Sequence, residues 1–144
     1  MSPPIRFQYH TLSPEAAAGF GAIKKALHKS TLGQPIIELV WMRVSQINGC
    51  VFCLEKHGRA LRTHGESNAK IDSLAGWHTA GHFTARERVA LAWAESLVHV
   101  DKTHAPDEDF EPLKEHFTHT EISDLTIAIS LMSALNRLAI GTRK

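Results

Sequence analysis

Cys50, Cys53 and His57 are the residues of this 144-residue chain whose types and spacing could do chemistry together. On a helix, positions i, i+3 and i+4 are neighbours, so Cys53 touches Cys50 on one side and His57 on the other. A disulfide needs Cα atoms about 4.4–6.8 Å apart, a range that includes helical i,i+3 spacing, so this pair can join and separate with little backbone movement. The thiolate is the reactive form of cysteine, and a free thiol with a pKa of about 8.5 is mostly protonated at neutral pH. Two features favour the thiolate here. A helix starting just after Asn48-Gly49 offers unpaired N–H groups and a positive dipole end, and His57 can accept the proton. Cys50 is nearer the helix start, Cys53 nearer the base.

Glu38 joins them through hairpin geometry. If the segments 35–47 and 50–64 are antiparallel helices about Asn48-Gly49, Glu38 lies ten residues before the turn and His57 eight after Gly49. At about 1.5 Å rise per residue the mismatch is within a glutamate's reach. A carboxylate on the second ring nitrogen would fix the imidazole tautomer, giving a nucleophile, a base and an orienter.

The elements that must position these residues read as helices. Pro14 follows Ser13 at the start of a first helix reaching about His28, although Gly19 and Gly21 weaken it. A second runs from about Pro35 through Ile36, Ile37, Leu39, Val40, Val44 and Ile47 to the Asn48-Gly49 break. The third spans Cys50 to about His64, with Cys50, Cys53, Leu54, His57 and Leu61 on one face. Ser67-Asn68 caps a short helix through Ile71 and Leu74, ending at Gly76 before a turn over Trp77–Phe83. Thr84 and Glu87 form a capping box for an amphipathic helix to Val98, and Pro106 opens a short helix through Phe110 and Leu113. Thr118 and Glu121 cap a final long helix whose Leu125, Ile127, Ile129, Leu131, Met132 and Leu135 fall on more than one side, which predicts burial against other helices or another subunit. No segment alternates as a half-buried strand does, so the βαβ setting of a thioredoxin-like Cys-x-x-Cys is missing and the fold class is all-α.

The bulk properties narrow the function classes. The length suits a single domain, 1–144, large enough to fold without disulfide staples. With 16 Lys and Arg against 15 Asp and Glu and no block of like charge, no nucleic-acid partner is expected. The start, Met1-Ser-Pro-Pro-Ile-Arg-Phe7, lacks the basic and apolar segments of a secretory signal, and no apolar stretch reads as the roughly 18 residues of a membrane span. A cytoplasmic location follows as the expectation. There, glutathione and thioredoxin keep thiols reduced unless a disulfide is transient and catalytic.

Other readings of the same residues stay open. The pair could be buried small side chains, or Cys50, Cys53, His57 and Glu38 could bind zinc, although structural zinc sites usually draw two ligand pairs from separate loops and no second cysteine pair exists. No metal and no cofactor is the expectation. Trp41, Trp77, Trp93 and Met132 read as core or interface. Of ten histidines only His57 has a stated role, and His64, His78 and His82 read as surface.

The pattern Glu38-x11-Cys50-x2-Cys53-x3-His57 resembles the carboxymuconolactone decarboxylase family, in particular its alkylhydroperoxidase D-like branch. Ser45-Gln-Ile-Asn-Gly-Cys50, Leu74-Ala-Gly-Trp77, Ala85-Arg-Glu-Arg88, Ala90-Leu-Ala-Trp-Ala-Glu95 and Asn136-Arg137 are similar to family segments, and the likeness covers about residues 15–142. It implies an orthogonal bundle of six to seven helices, a homotrimer or homohexamer, and an antioxidant peroxidase activity run through the dithiol. Cys53 would be the peroxidatic cysteine that becomes a sulfenic acid, Cys50 the resolving thiol, and Glu38 and His57 the proton relay. The substrate would be a hydroperoxide and the reductant a lipoylated protein, thioredoxin or a small thiol. In the branch's namesake a further histidine directly precedes the second cysteine, where this chain has Phe52, so a relay here runs through His57 alone or through water. The alternatives are a disulfide reductase or redox sensor, a decarboxylase acting on a lactone acid, and a zinc-binding oligomer.

Overall fold

Glycine and proline set the breaks between helices. In a computed structural model covering residues 1–144, the helices are α1 (Tyr9–Leu12), α2 (Pro14–Leu27), α3 (Gln34–Asn48), α4 (Val51–Thr63), α5 (Asn68–Asp72), α6 (Ala85–Val98), α7 (Val100–Thr103), α8 (Asp107–Phe110) and α9 (His119–Thr142). Two 3-10 turns, Leu74–Gly76 and Glu111–Glu115, complete the regular structure, and there is no strand. Seven of the nine helices correspond to the segments expected from sequence. The additional two, α1 and α7, are four residues each and too short to leave a periodic signature.

The turn between α3 and α4 follows from Gly49. Its φ of 68° lies in the left-handed region, where a side chain is strained. The Cys50 N–H then bonds back to the Ser45 carbonyl at 3.1 Å and the Gly49 N–H to Gln46 at 3.3 Å, the paired bonds of a Schellman ending. One extended residue must follow before a new helix can start, and that residue is Cys50. Cys50 is therefore the N-cap of α4 (φ −85°, ψ 97°) and lies outside the helix that was expected to begin with it.

α3 is the central helix, apolar on nearly all sides. Ile37, Val40, Trp41 and Val44 pack with Ala90 and Ala94 of α6 and with Leu125, Ile129 and Met132 of α9. Leu39 faces the other way, into a smaller cluster with Leu61, Ile71, Leu74, Trp77, Phe83 and Leu91. Each fully buried leucine or isoleucine contributes about 1.5–3 kcal/mol. The third face of α3 is left to α4 and carries Glu38.

α9 corrects one expectation. It is 24 residues long, with a mean hydropathy of 1.4 over an 18-residue window, enough by length and composition to cross a membrane. Its Leu125, Ile129, Met132 and Asn136 are buried against the rest of the chain, as in a core helix.

Both expected capping boxes form. Thr84 Oγ1 accepts from the Glu87 N–H at 3.1 Å while Glu87 Oε1 accepts from the Thr84 N–H at 2.9 Å. Glu87 also holds the Lys70 ammonium at 2.6 Å. Burial opposes the Lys70 charge, but its bonds to Glu87 and Glu66 outweigh this and hold its pKa above the ordinary lysine range. That contribution to stability is complete at neutral pH and is lost only as pH rises through the raised value. Thr84→Ala is expected to lower unfolding free energy by about 1 kcal/mol, read as an earlier denaturation midpoint with an unchanged slope.

Candidate active site

Glu38 and His57 meet across the α3–α4 hairpin. His57 Nδ1 and Glu38 Oε2 are 2.7 Å apart, with the two residues 2% and 9% exposed. Trp41, one turn along α3 from Glu38, lies against the imidazole with ring centroids 5.4 Å apart. Its own indole N–H is tied to the Ala128 carbonyl of α9 at 2.8 Å. The imidazole is thus held at one nitrogen and packed by an anchored ring. Nε2 makes no hydrogen bond and is not sealed from solvent, so it opens onto the cavity that His57 lines.

Cys50 and Cys53 are joined as a disulfide, with Cα atoms 5.3 Å apart. The extended N-cap and the first turn of α4 supply this separation, which lies inside the range a bridge requires. The two sulfur-bearing residues differ in access. Cys50 is fully buried and does not line the cavity; Cys53 does, beside His57. The cavity, of about 190 Å³, has walls from Phe20, Phe52, Met132 and Leu135. All four residues singled out from sequence therefore come together, with Cys53 and His57 facing the cavity and Cys50 and Glu38 behind them.

The structure adds residues that sequence reasoning did not single out. Behind Cys50, the amide of Asn136 donates to Ser45 Oγ at 3.1 Å and its oxygen accepts from Asn48 at 3.0 Å. This pins the end of α3, and so the cysteine-bearing turn, to α9. On the far side of α3, Glu95 accepts from Trp77 Nε1 at 2.7 Å and from Arg43 at 2.9 Å. Arg88 donates to the carbonyls of Trp77, His78 and Ala80, which fixes the turn expected over 77–83. His64, His78 and His82 are exposed, as expected for surface residues. Asn136 and Glu95 lay within segments noted for family likeness, but nothing in their local sequence identifies their partners.

Lys24, Lys56 and Lys144 also line the cavity, from α2, α4 and the C-terminus. Burial lowers the Lys24 pKa from the ordinary lysine value, and the neighbouring Lys56 and Lys144 charges lower it further against the opposing pull of Glu38.

Comparison with known proteins agrees with this architecture. The family model for the carboxymuconolactone decarboxylase family matches residues 14–96. The uncharacterized protein YdfG of Bacillus subtilis is 29% identical over 136 residues, covering 94% of this chain and 92% of YdfG. Among solved structures, the Agrobacterium tumefaciens protein ATU0492, of unknown function and proposed to be the antioxidant defence protein AhpD, superposes with a TM-score of 0.93. It is 35% identical, with 98% of this chain and 97% of that one covered. An uncharacterized peroxidase-related protein from Silicibacter sp. TM1040 gives a TM-score of 0.82 at 27% identity, covering 93% of this chain and 71% of its own. With its all-helical fold, its Glu38, Cys50, Cys53 and His57 cluster, and a family match over more than half its length, the chain belongs to the carboxymuconolactone decarboxylase family and has the fold of its alkylhydroperoxidase D-like members.

Proposed function

We propose that the protein is a thiol peroxidase that reduces hydroperoxides through Cys53 and Cys50. The observation that carries this reading is the arrangement at the cavity. Cys53 is the disulfide residue that opens on it, and it shares that cavity with His57, whose other nitrogen is held by Glu38.

In the reduced enzyme His57 Nε2 takes the Cys53 proton, and the thiolate attacks the terminal peroxide oxygen. The O–O bond breaks, the alcohol leaves with the proton returned by His57, and Cys53 becomes a sulfenic acid. The Cys50 thiol then displaces water from that sulfenic acid and forms the observed disulfide. A dithiol donor restores both thiols and is itself oxidised. Because Cys53 lines the cavity and Cys50 does not, the donor thiol enters by the route the peroxide uses. A lipoylated protein, thioredoxin or a small thiol fits this role, in a reducing compartment such as the cytosol.

Phe52 stands at the cavity rim in place of the branch's extra histidine and carries no proton, so His57 is the single base of the relay. A homotrimer or homohexamer belongs to the same reading. It is supported by the exposed apolar side chains of Val51, Ile127 and Ile140 on α4 and α9.

The test is consumption of cumene hydroperoxide by the reduced protein with dithiothreitol, then with dihydrolipoamide, as donor. Repeated turnover above the protein-free rate is the expected result. A disulfide that forms with peroxide but never supports turnover would instead make the protein a redox sensor.

A further inference from the structure

The charged side chains lining the cavity are of one sign. Its lining includes Lys24, Lys56 and Lys144 and contains no aspartate or glutamate. None of the three ammonium groups has a carboxylate within ion-pair distance, although the chain forms ion pairs elsewhere through Lys70, Lys114, Arg43 and Arg86. The acid that acts on Lys24 is Glu38, whose carboxylate is bonded to His57. Lys144 has a different neighbour, the Phe52 ring, with its ammonium 4.4 Å from the ring centroid.

Like charges gathered at a partly enclosed site repel one another and carry a desolvation cost, and the lowered Lys24 pKa shows that both act here. Such an arrangement is relieved by an anion. Phe20, Met132 and Leu135 give the same cavity apolar walls beside the lysines and Cys53, and Lys56 sits one helical turn beyond Cys53 on α4. A ligand that satisfies both regions has an anionic head at the lysines and a short apolar body along the wall.

We propose that this cavity selects carboxylate-bearing amphipathic ligands, the carboxylate held between Lys24 and Lys56 and the far end presented at Cys53. Under the peroxidase reading, on which only the nature of the reacting end rests, the substrate class is a hydroperoxide carrying a carboxylate. A general electrostatic role for the lysines, favouring the Cys53 thiolate, would instead act on charged and neutral substrates alike.

The experiment separates these. Binding of octanoate and of its neutral isostere octanamide to the oxidised full-length protein is followed by NMR titration, which needs no turnover. Octanoate is expected to bind about tenfold tighter, the scale of one charge-assisted hydrogen bond. The double variant Lys24→Gln/Lys56→Gln is expected to bring the ratio close to one, and Lys24→Arg/Lys56→Arg to preserve it. Both lysines are at least partly exposed, so neither change disturbs the core. Equal affinity for the two ligands in wild type, or an unchanged ratio in the glutamine variant, overturns the inference. Turnover of a fatty-acid hydroperoxide is then compared with that of its methyl ester. Faster turnover of the acid supports the inference and equal turnover contradicts it. If neither is consumed while the binding ratio holds, the anion site stands and the peroxidase reading fails.

Discussion

Cys53→Ser is expected to abolish catalysed hydroperoxide consumption, a loss of at least about a thousandfold, because it removes the atom to which the proposed reaction transfers oxygen. Cys50→Ser should separate the steps. With Cys53 intact, the first transfer still occurs, but the sulfenic acid has no internal thiol to condense with. One equivalent of peroxide is consumed in a burst, and dimedone should label Cys53 in that variant and not in wild type. Access predicts the asymmetry between the cysteines, since Cys53 lines the cavity and Cys50 is sealed behind it. Dimedone labelling at Cys50, or a surviving peroxide burst, in Cys53→Ser would reverse the assignment. Neither serine removes much volume, so both variants should fold. Loss of the covalent link should cost little, because it closes a loop of only three residues' separation.

His57→Ala carries the second large effect, and it acts on both rate and stability. Removing the proposed general base is expected to lower turnover by about 10²–10³-fold. It also strands the Glu38 carboxylate, which is 9% exposed and has His57 as its hydrogen-bond partner, at a cost of about 2–3 kcal/mol in unfolding free energy. Glu38→Gln makes a useful contrast. The amide oxygen can still accept from Nδ1–H, so stability should fall by no more than about 1 kcal/mol. The charge that supports the protonated ring is gone, however, and turnover should fall about tenfold or more. In the His57→Ala background Glu38→Gln should have no further effect on rate, because Glu38 acts through the ring. Additive losses in the double variant would mean that Glu38 contributes by another route, and the relay would have to be redrawn.

The geometry of the candidate site was legible in the sequence because its main contacts are local. Cys50 and Cys53 are three residues apart, His57 is one helical turn further, and Glu38 lies across a short hairpin whose glycine announces the turn. Helical spacing and rise bring Cys53, His57 and Glu38 to similar positions along the hairpin, and the 2.7 Å contact between Glu38 and His57 follows from that register. The capping boxes at Thr84 and Thr118 were legible for the same reason, each being a bond between residues three positions apart. One local detail escaped. Placing Cys50 inside the helix overlooked the extended residue that must follow a left-handed Gly49.

What the sequence by itself determined, then, is the helical class, the hairpin and the dithiol with His57 and Glu38 beside it. Tertiary structure decided the rest, because the remaining contacts join residues far apart in the chain and leave no periodic or spacing signal. Asn136 reaches Ser45 across 91 positions, and Trp41 reaches the Ala128 carbonyl across 87. The apolarity of α9 also meant something different once packed. Composition alone allows a membrane span, whereas its contacts with α3 and α6 make it the wall of a core. The unequal access of the two cysteines and the meeting of Lys24, Lys56 and Lys144 at one cavity depend on how α2, α4 and the C-terminus close around α9. No pattern within any one of those segments encodes that closure, since it is set by which apolar faces find each other.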